Sequence, residues 1–310
     1  MSNSVTPTNI EAIADALVTG REQGQRPVLF LGARTGGLFG NEYFYEMLKN
    51  FSLLNFDALS NLDKFRECYY VLKTRFTERE RHNILVGALA TLMYREEDKL
   101  LAELVRAGFF EVIITTNIDT LLEDACSSCG LRELDDYRVL TDVAEIAKFE
   151  QNKPRYSSII KVFGGLETKH YSMTGEALNL QAEDRLQQPL VSILAREVLV
   201  VGYDPVWDHE IEPAFPTNGG TVWHINETEL LTNTHLATIF NRRNGHFFQN
   251  EQGSYSSFLS ALYDFLGDKI GQKEVAPIPL LLQPQLSDQE RKKVFISYSL
   301  QDRSYLTFNK

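Results

Sequence analysis

Apolar residues in this chain follow two rhythms. Short continuous runs, Val28-Leu29-Phe30-Leu31, Val112-Ile113-Ile114-Thr115, Ile159-Ile160-Lys161-Val162-Phe163 and Val198-Leu199-Val200-Val201, each end in a glycine or a small polar residue. Runs of this length bounded by turn residues predict buried strands. Between them the apolar positions recur at helical spacing, as in Ile10, Ile13, Ala14, Leu17 and Val18 ahead of Gly24. The same period predicts helices over 98–108, from Leu121 onward and over 255–266, the first of them closed by Gly108 and followed at once by the strand 111–115. Further short strands are expected at 137–140 and 221–225.

Strands alternating with helices in this way predict an α/β fold, a Rossmann-like parallel sheet with helices on both faces. From Asn41 to Tyr94 the pattern is helical and rich in aromatic residues, with no strand signal, so 41–94 is expected to be a helical insertion. Residues 269–290, which hold Pro277, Pro279 and Pro284 and no usable period, predict a linker.

The first strand runs into Gly32-Ala33-Arg34-Thr35-Gly36-Gly37. A buried strand that ends in glycines lets backbone approach a phosphate, because glycine has no Cβ in the way. Asn117 and Asp119 follow the second strand, where open α/β sheets place ligand sites. Both also suit a helix start, Asn117 as N-cap and Asp119 as an acid in the first turn.

Composition narrows the function classes. The chain has 310 residues, 43% hydrophobic and 24% charged, ordinary for a globular protein. Thirty-one basic against 42 acidic residues give a formal charge of −11, which disfavours a broad nucleic-acid or anionic-membrane surface. The polar start and the short apolar runs suggest neither a signal peptide nor a membrane helix, so a cytoplasmic location is expected. Cys126 and Cys129 form a lone CxxC pair with only Cys68 as a third thiol, too few for a four-cysteine zinc site, and no metal is expected.

Taken in order over roughly residues 25 to 265, Gly32-Ala33, Thr116-Asn117-Ile118-Asp119, Lys161-Val162-Phe163-Gly164 and Gly202-Tyr203 resemble four motifs of the sirtuin family of NAD-consuming enzymes. The resemblance implies a sirtuin-like domain over 1–268, with NAD or an ADP-ribose derivative as ligand. It implies that Gly32, Ala33, Arg34 and Thr35 form the turn that receives the pyrophosphate, and that Asn117, with Thr116 beside it, orients the ribose or an attacking water. Asp119 would hold that loop, Gly202 would keep the opposite strand end clear, and Asn226 would sit near the adenosine ribose. In the family, attack at C1′ of the nicotinamide ribose releases nicotinamide.

Two departures bear on chemistry. Phe163 stands where the family has its catalytic histidine, and a phenyl ring cannot accept a proton. Arg34 stands where the family has a second glycine; its side chain would either exclude the pyrophosphate or grip it bidentately. His170, His209 and His224 are possible substitutes for the missing base, each better read as a loop or structural histidine.

Residues 293–306, Lys293-Val294-Phe295-Ile296-Ser297-Tyr298-Ser299 and onward, resemble the opening strand and helix of a TIR domain, so 291–310 reads as a truncated TIR-like start. Residues 269–310 are expected to be too few for a complete second domain. Together the two resemblances imply a degenerate sirtuin-like nucleotide-binding or scaffold module of a bacterial TIR-linked antiphage defence protein, partnered by copies of itself or by a defence protein. The alternatives are an active NAD hydrolase that depletes NAD and a purely structural oligomerisation module.

Overall fold

The computed structural model describes residues 6–90, 92–149, 156–166, 170–171, 184–229 and 234–270. The chain divides into Met1–Gln272 and Lys273–Lys310, and the second unit, with the TIR-like start and most of the expected linker, lies outside the described residues.

In chain order the elements are β1 (Thr6–Pro7), α1 (Ile10–Gln23), β2 (Val28–Leu31), α2 (Glu42–Leu48), α3 (Asn61–Arg75), α4 (Glu78–Leu89), α5 (Glu96–Arg106), β3 (Val112–Thr115), α6 (Leu121–Ser128) and β4 (Tyr137–Leu140). There follow α7 (Val143–Ile146), β5 (Ser157–Lys161), β6 (Gly164–Gly165), β7 (His170–Tyr171), α8 (Asp184–Leu194), β8 (Val198–Val201), β9 (Val222–Ile225), α9 (His235–Arg242), β10 (His246–Phe248) and α10 (Tyr255–Ile270). Eight strands form one sheet in the order β1-β10-β9-β8-β2-β3-β5-β4, and every neighbouring pair is parallel. The pair β6 and β7 makes a separate antiparallel ladder in which Gly165 faces His170. This is the expected Rossmann-like α/β fold.

Each central strand is buried on both faces, which is why its sequence reads as an unbroken apolar run. In β2, Val28 and Phe30 enter the core on the side of α2, α3, α4, α8 and α9, while Leu29 and Leu31 enter the core on the side of α1, α5, α6 and α10. Register aligns the strand ends: Leu31 lies opposite both Thr115 and Val201, Thr115 opposite Lys161, and Val201 opposite Ile225. Gly32, Thr116, Val162, Gly202 and Asn226 are therefore the first residues beyond one common edge. From β2 the chain moves to β3 on one side, and later to β8 on the other, so the crevice between β2 and β8 is a topological switch point.

The described residues between Asn41 and Tyr94 form helices and turns with no strand. Their starts are set by local chemistry. Asn41 accepts from the Phe44 amide, Ser60 from Asp63, and Thr77 forms a capping box with Glu80. Helix α3 is pinned to the loop after β8, where the Trp207 ring stacks on Phe65 at 4.7 Å and its indole N–H donates to the Phe65 carbonyl at 3.0 Å. No helix among the described residues is long and apolar enough to cross a membrane.

The sheet is wider than the sequence pattern suggested. Strands β1 and β10 were not signalled because two or three residues are too few to show a period. Helix α10 also runs on to Ile270, past the end expected from its apolar residues.

Because Trp207 both stacks and donates at one contact, Trp207→Ala should lower unfolding stability by about 3–5 kcal/mol. Equilibrium urea denaturation of the two proteins measures this.

Candidate functional site

At the switch point, β2 gives way to a short 3-10 turn, Ala33–Thr35. Every backbone N–H from residue 32 to residue 37 has a partner within the chain. Gly32 donates to the Val201 carbonyl at 2.8 Å, Arg34 to Gly202 at 3.0 Å, Thr35 to Gly32 at 2.9 Å and Gly36 to Ala33 at 3.3 Å. The other two serve carboxylates: Ala33 donates to both oxygens of Asp208, at 3.0 and 3.2 Å, and Gly37 to Asp119 Oδ2 at 2.8 Å.

The glycines are explained by the same crowding. A Cβ on Gly32 would lie 2.6 Å from Tyr203 Cα, and one on Gly36 would lie 2.3 Å from Asn117 Oδ1. Gly202 has φ +66°, and its Cβ would meet Thr35 Cγ2 at 2.5 Å. The close approaches they permit are those of the chain to itself.

Asp208 is fully buried, and beyond the Ala33 amide it accepts from Thr116 Oγ1 at 2.7 Å and from the Asp204 amide at 2.7 Å. Burial pushes its carboxyl up from 3.8 to about 7, although those hydrogen bonds pull the other way. Asp204, also fully buried, collects the cations. Its Oδ2 accepts from Arg34 Nε at 3.0 Å, Arg34 Nη2 at 2.9 Å and Arg66 Nε at 3.1 Å, and its Oδ1 from the Val206 amide at 2.9 Å.

Arg34 is only 5% exposed. Its remaining nitrogen, Nη1, donates to Asn226 Oδ1 and Thr228 Oγ1, both at 2.8 Å. Burial lowers its pKa, while Asp204 raises it. The guanidinium is thus held by Asp204, Asn226 and Thr228, an arrangement that neither of the two sequence alternatives for Arg34 contained. Asn226 is engaged at both ends, since its Nδ2 donates to the Tyr203 carbonyl at 2.7 Å.

Asn117 donates from Nδ2 to Thr35 Oγ1 at 2.9 Å and to the Gly32 carbonyl at 3.3 Å, which ties the end of β3 to the turn after β2. It is not a helix cap, because the cap residue of α6 is Thr120. Asp119 accepts from the Leu121 amide through its second oxygen at 3.3 Å. Lys161, 2% exposed at the end of β5, donates to the Asp119 carbonyl and to Glu123 Oε1, the latter at 2.6 Å. Burial raises the Glu123 carboxyl and Lys161 opposes it.

Phe163 is 5% exposed and shares a pocket with Ala33, Thr116, Asn117, Asp119 and Asp208, walled by Phe65 and Trp207. The pocket's interior is small, with about 20 Å³ of room for the centre of a water-sized sphere. A second pocket, with about 110 Å³ on the same measure, is lined by Arg34, Arg66, His224, Asn226 and Thr228. A third, with about 160 Å³, is lined by Arg34, Gly202 and Asn226 together with Arg95.

Among the described residues no histidine lines the Asn117 pocket; the side chain of His170 lies outside them. His224 lines the second one, buried, with both ring nitrogens unpartnered, and burial followed by the nearby Arg34 charge lowers it to about 3. His209 donates from Nδ1–H to the Val206 carbonyl at 2.9 Å, and its Nε2 lies 2.9 Å from Glu210 Oε1. Among the described residues no group of three or more His, Cys, Asp or Glu is placed to hold a metal ion.

The sequence reading missed Asp204, Asp208 and Arg66. A signal was present: Gly202-Tyr203-Asp204-Pro205-Val206-Trp207-Asp208 sets two acids four residues apart immediately past a strand end.

No protein-family model matches the chain, and no curated protein matches it. Solved structures to which it is similar include Sir2Tm bound to a propionylated peptide, with TM-score 0.43 and 15% identity over 84% of this chain and 99% of that one. A Sir2 enzyme solved for its mechanism and regulation gives TM-score 0.35 and 16% identity over 83% and 98%. A Sir2 mutant with a p53 peptide and NAD gives 0.39 and 13% over 84% and 100%.

Arg34→Ala removes the closest cation from a fully buried carboxylate and leaves Asp204 with Arg66, whose side chain is 25% exposed. The loss should be about 3–5 kcal/mol in chemical denaturation. Asp208 makes a separate prediction. Its folded pKa of about 7 exceeds the ordinary 3.8, so the folded state holds a proton that the unfolded state releases in between. Stability should fall as pH rises through that window, and Asp208→Asn should flatten the slope when thermal melts are compared across it.

Proposed function

We propose that residues 1–268 form a sirtuin-like module that binds NAD or another ADP-ribose-containing nucleotide and does not hydrolyse it efficiently. The observation that carries the reading is the shared pocket: Asn117, Asp119 and Phe163 meet at the carboxyl edge of the sheet, beside the switch point where such folds take their ligands. The position at which the resemblance calls for a proton acceptor is filled by an aromatic hydrocarbon. Losing a positioned acid or base typically costs about 10²–10⁴-fold in rate.

Within this reading the nicotinamide end of the ligand faces Asn117 and Phe163, and the adenosine end lies toward Asn226 and Arg34. The TIR-like start at 291–310 supports a place for the module in a bacterial antiphage defence protein, acting as a homo-oligomer or with a defence partner.

Isothermal titration with ADP-ribose near pH 6, together with measurement of nicotinamide release from NAD, tests the proposal. Binding with release close to background is expected, and Phe163→His should raise the release. Brisk release by the unmodified chain that Asn117→Ala abolishes would make it an NAD hydrolase instead. Absence of binding would leave the oligomerisation reading.

A further inference from the structure

A pyrophosphate arriving at the glycine turn finds no free backbone donor, because all six amides from Gly32 to Gly37 are already bonded. The donor nearest the pocket, the Ala33 N–H, is shared between both oxygens of Asp208. A carboxylate on a turn amide with a hydroxyl at its side copies the contacts that such a turn offers a phosphate oxygen.

We propose that Asp208 is an internal latch: its carboxylate fills the phosphate-accepting position of the turn, and a nucleotide binds by displacing it. The inference rests on the nucleotide-binding reading of the cleft and deepens it by naming the residue that decides when the turn accepts an anion.

The charges around Asp208 make it the group that would yield. Asp204, on the same loop, has two cations of its own in Arg34 from the turn and Arg66 from α3. Asp208 makes no direct ion pair among the described residues: it is bonded to the Ala33 and Asp204 amides and the Thr116 hydroxyl, and Arg34 acts on it only at longer range. The other ionisable groups of and around the loop among the described residues include Asp119, which is engaged by Gly37, Glu212, which accepts from the Tyr203 hydroxyl, and the adjacent His209, which pairs with Glu210. A dinucleotide phosphate would therefore meet a carboxylate with no ion-pair partner of its own, and the two anions cannot share one amide.

Protonation weakens the latch. The carboxyl is held near 7 by burial, whereas each phosphate of an ADP-ribose diphosphate stays singly ionised across neutral pH. In the complex the displaced carboxyl stays in the same pocket beside the phosphate, where it has lost the hydrogen bonds that favoured its charge and gained an anionic neighbour, so it is protonated there. Binding takes up a proton above the free midpoint, and affinity falls as pH rises through that value.

The test is isothermal titration of the full chain with ADP-ribose at constant ionic strength, at about pH 6 and about pH 8. The unmodified protein should bind about tenfold more weakly at the higher pH, one decade for the single unit spent above the carboxyl midpoint. Asp208→Asn should bind at the higher pH at least as tightly as the unmodified protein does at the lower, with no pH dependence. Asp208→Ala, which frees the Ala33 amide, should behave likewise, and circular dichroism establishes that each variant is folded. If neither variant folds, the pH dependence of the unmodified protein still decides: a flat profile overturns the latch. Binding of the unmodified protein that is pH-independent, or variants no tighter than it at the higher pH, overturns the latch and leaves nucleotide binding standing. Absence of binding by all three folded proteins at both pH values overturns the nucleotide reading, and the latch with it.

Discussion

Two carboxylates four residues apart, Asp204 and Asp208, hold together everything that meets at the switch point. The first amides past the strand ends still donate to the neighbouring strand, as Gly32 does to Val201, but the Ala33 amide one residue further on has no ladder to join, and buried polar groups without partners cost free energy. Here side chains answer that demand. Asp208 takes the amide after Gly32 and the hydroxyl of Thr116, so it joins the ends of β2 and β3 to the loop after β8. Asp204 draws in Arg34 from the turn and Arg66 from α3, and through Arg34 it reaches Asn226 at the end of β9. Removing one partner from a buried pair of this kind costs more than the pair ever contributes, because the remaining charge stays buried.

The same clasp gives the glycines a reason that does not involve a ligand. Backbone from β8 passes close enough to Gly32, and Asn117 close enough to Gly36, that any side chain would collide. A glycine-rich turn after a first strand is consistent with phosphate binding and equally with dense packing of strand ends. Sequence alone cannot separate the two, since both demand the absence of a Cβ.

The architecture was legible wherever burial imposed a pattern. Strands β2, β3, β5, β8 and β9 lie at or within a residue or two of the expected runs, because each is covered on both faces and so is written in apolar residues. Helices α1 and α5 announced themselves by period and by a closing glycine. The edge strands β1 and β10 did not, being shorter than any period. At the site, residues adjacent to strand ends were found by position, but their partners were not. Arg34 and Asp204 are 170 residues apart in sequence, and Ala33 and Asp208 are 175 apart, separations at which local pattern carries no information.

Phe163 brings the structural and chemical duties of the pocket into contrast. Asn117 secures the turn through Thr35, Asp119 secures it through Gly37, and Lys161 holds the Asp119 carbonyl from beneath. Each of these motif residues therefore supports the fold of the strand ends whether or not a reaction takes place there. Phe163 has no such second duty: its ring extends the aromatic wall formed by Phe65 and Trp207 and takes part in none of the hydrogen bonds of the clasp. The chemistry at this position is thus separable from the fold, whereas Asn117 and Asp119 are each accounted for by the bonds they make within the chain.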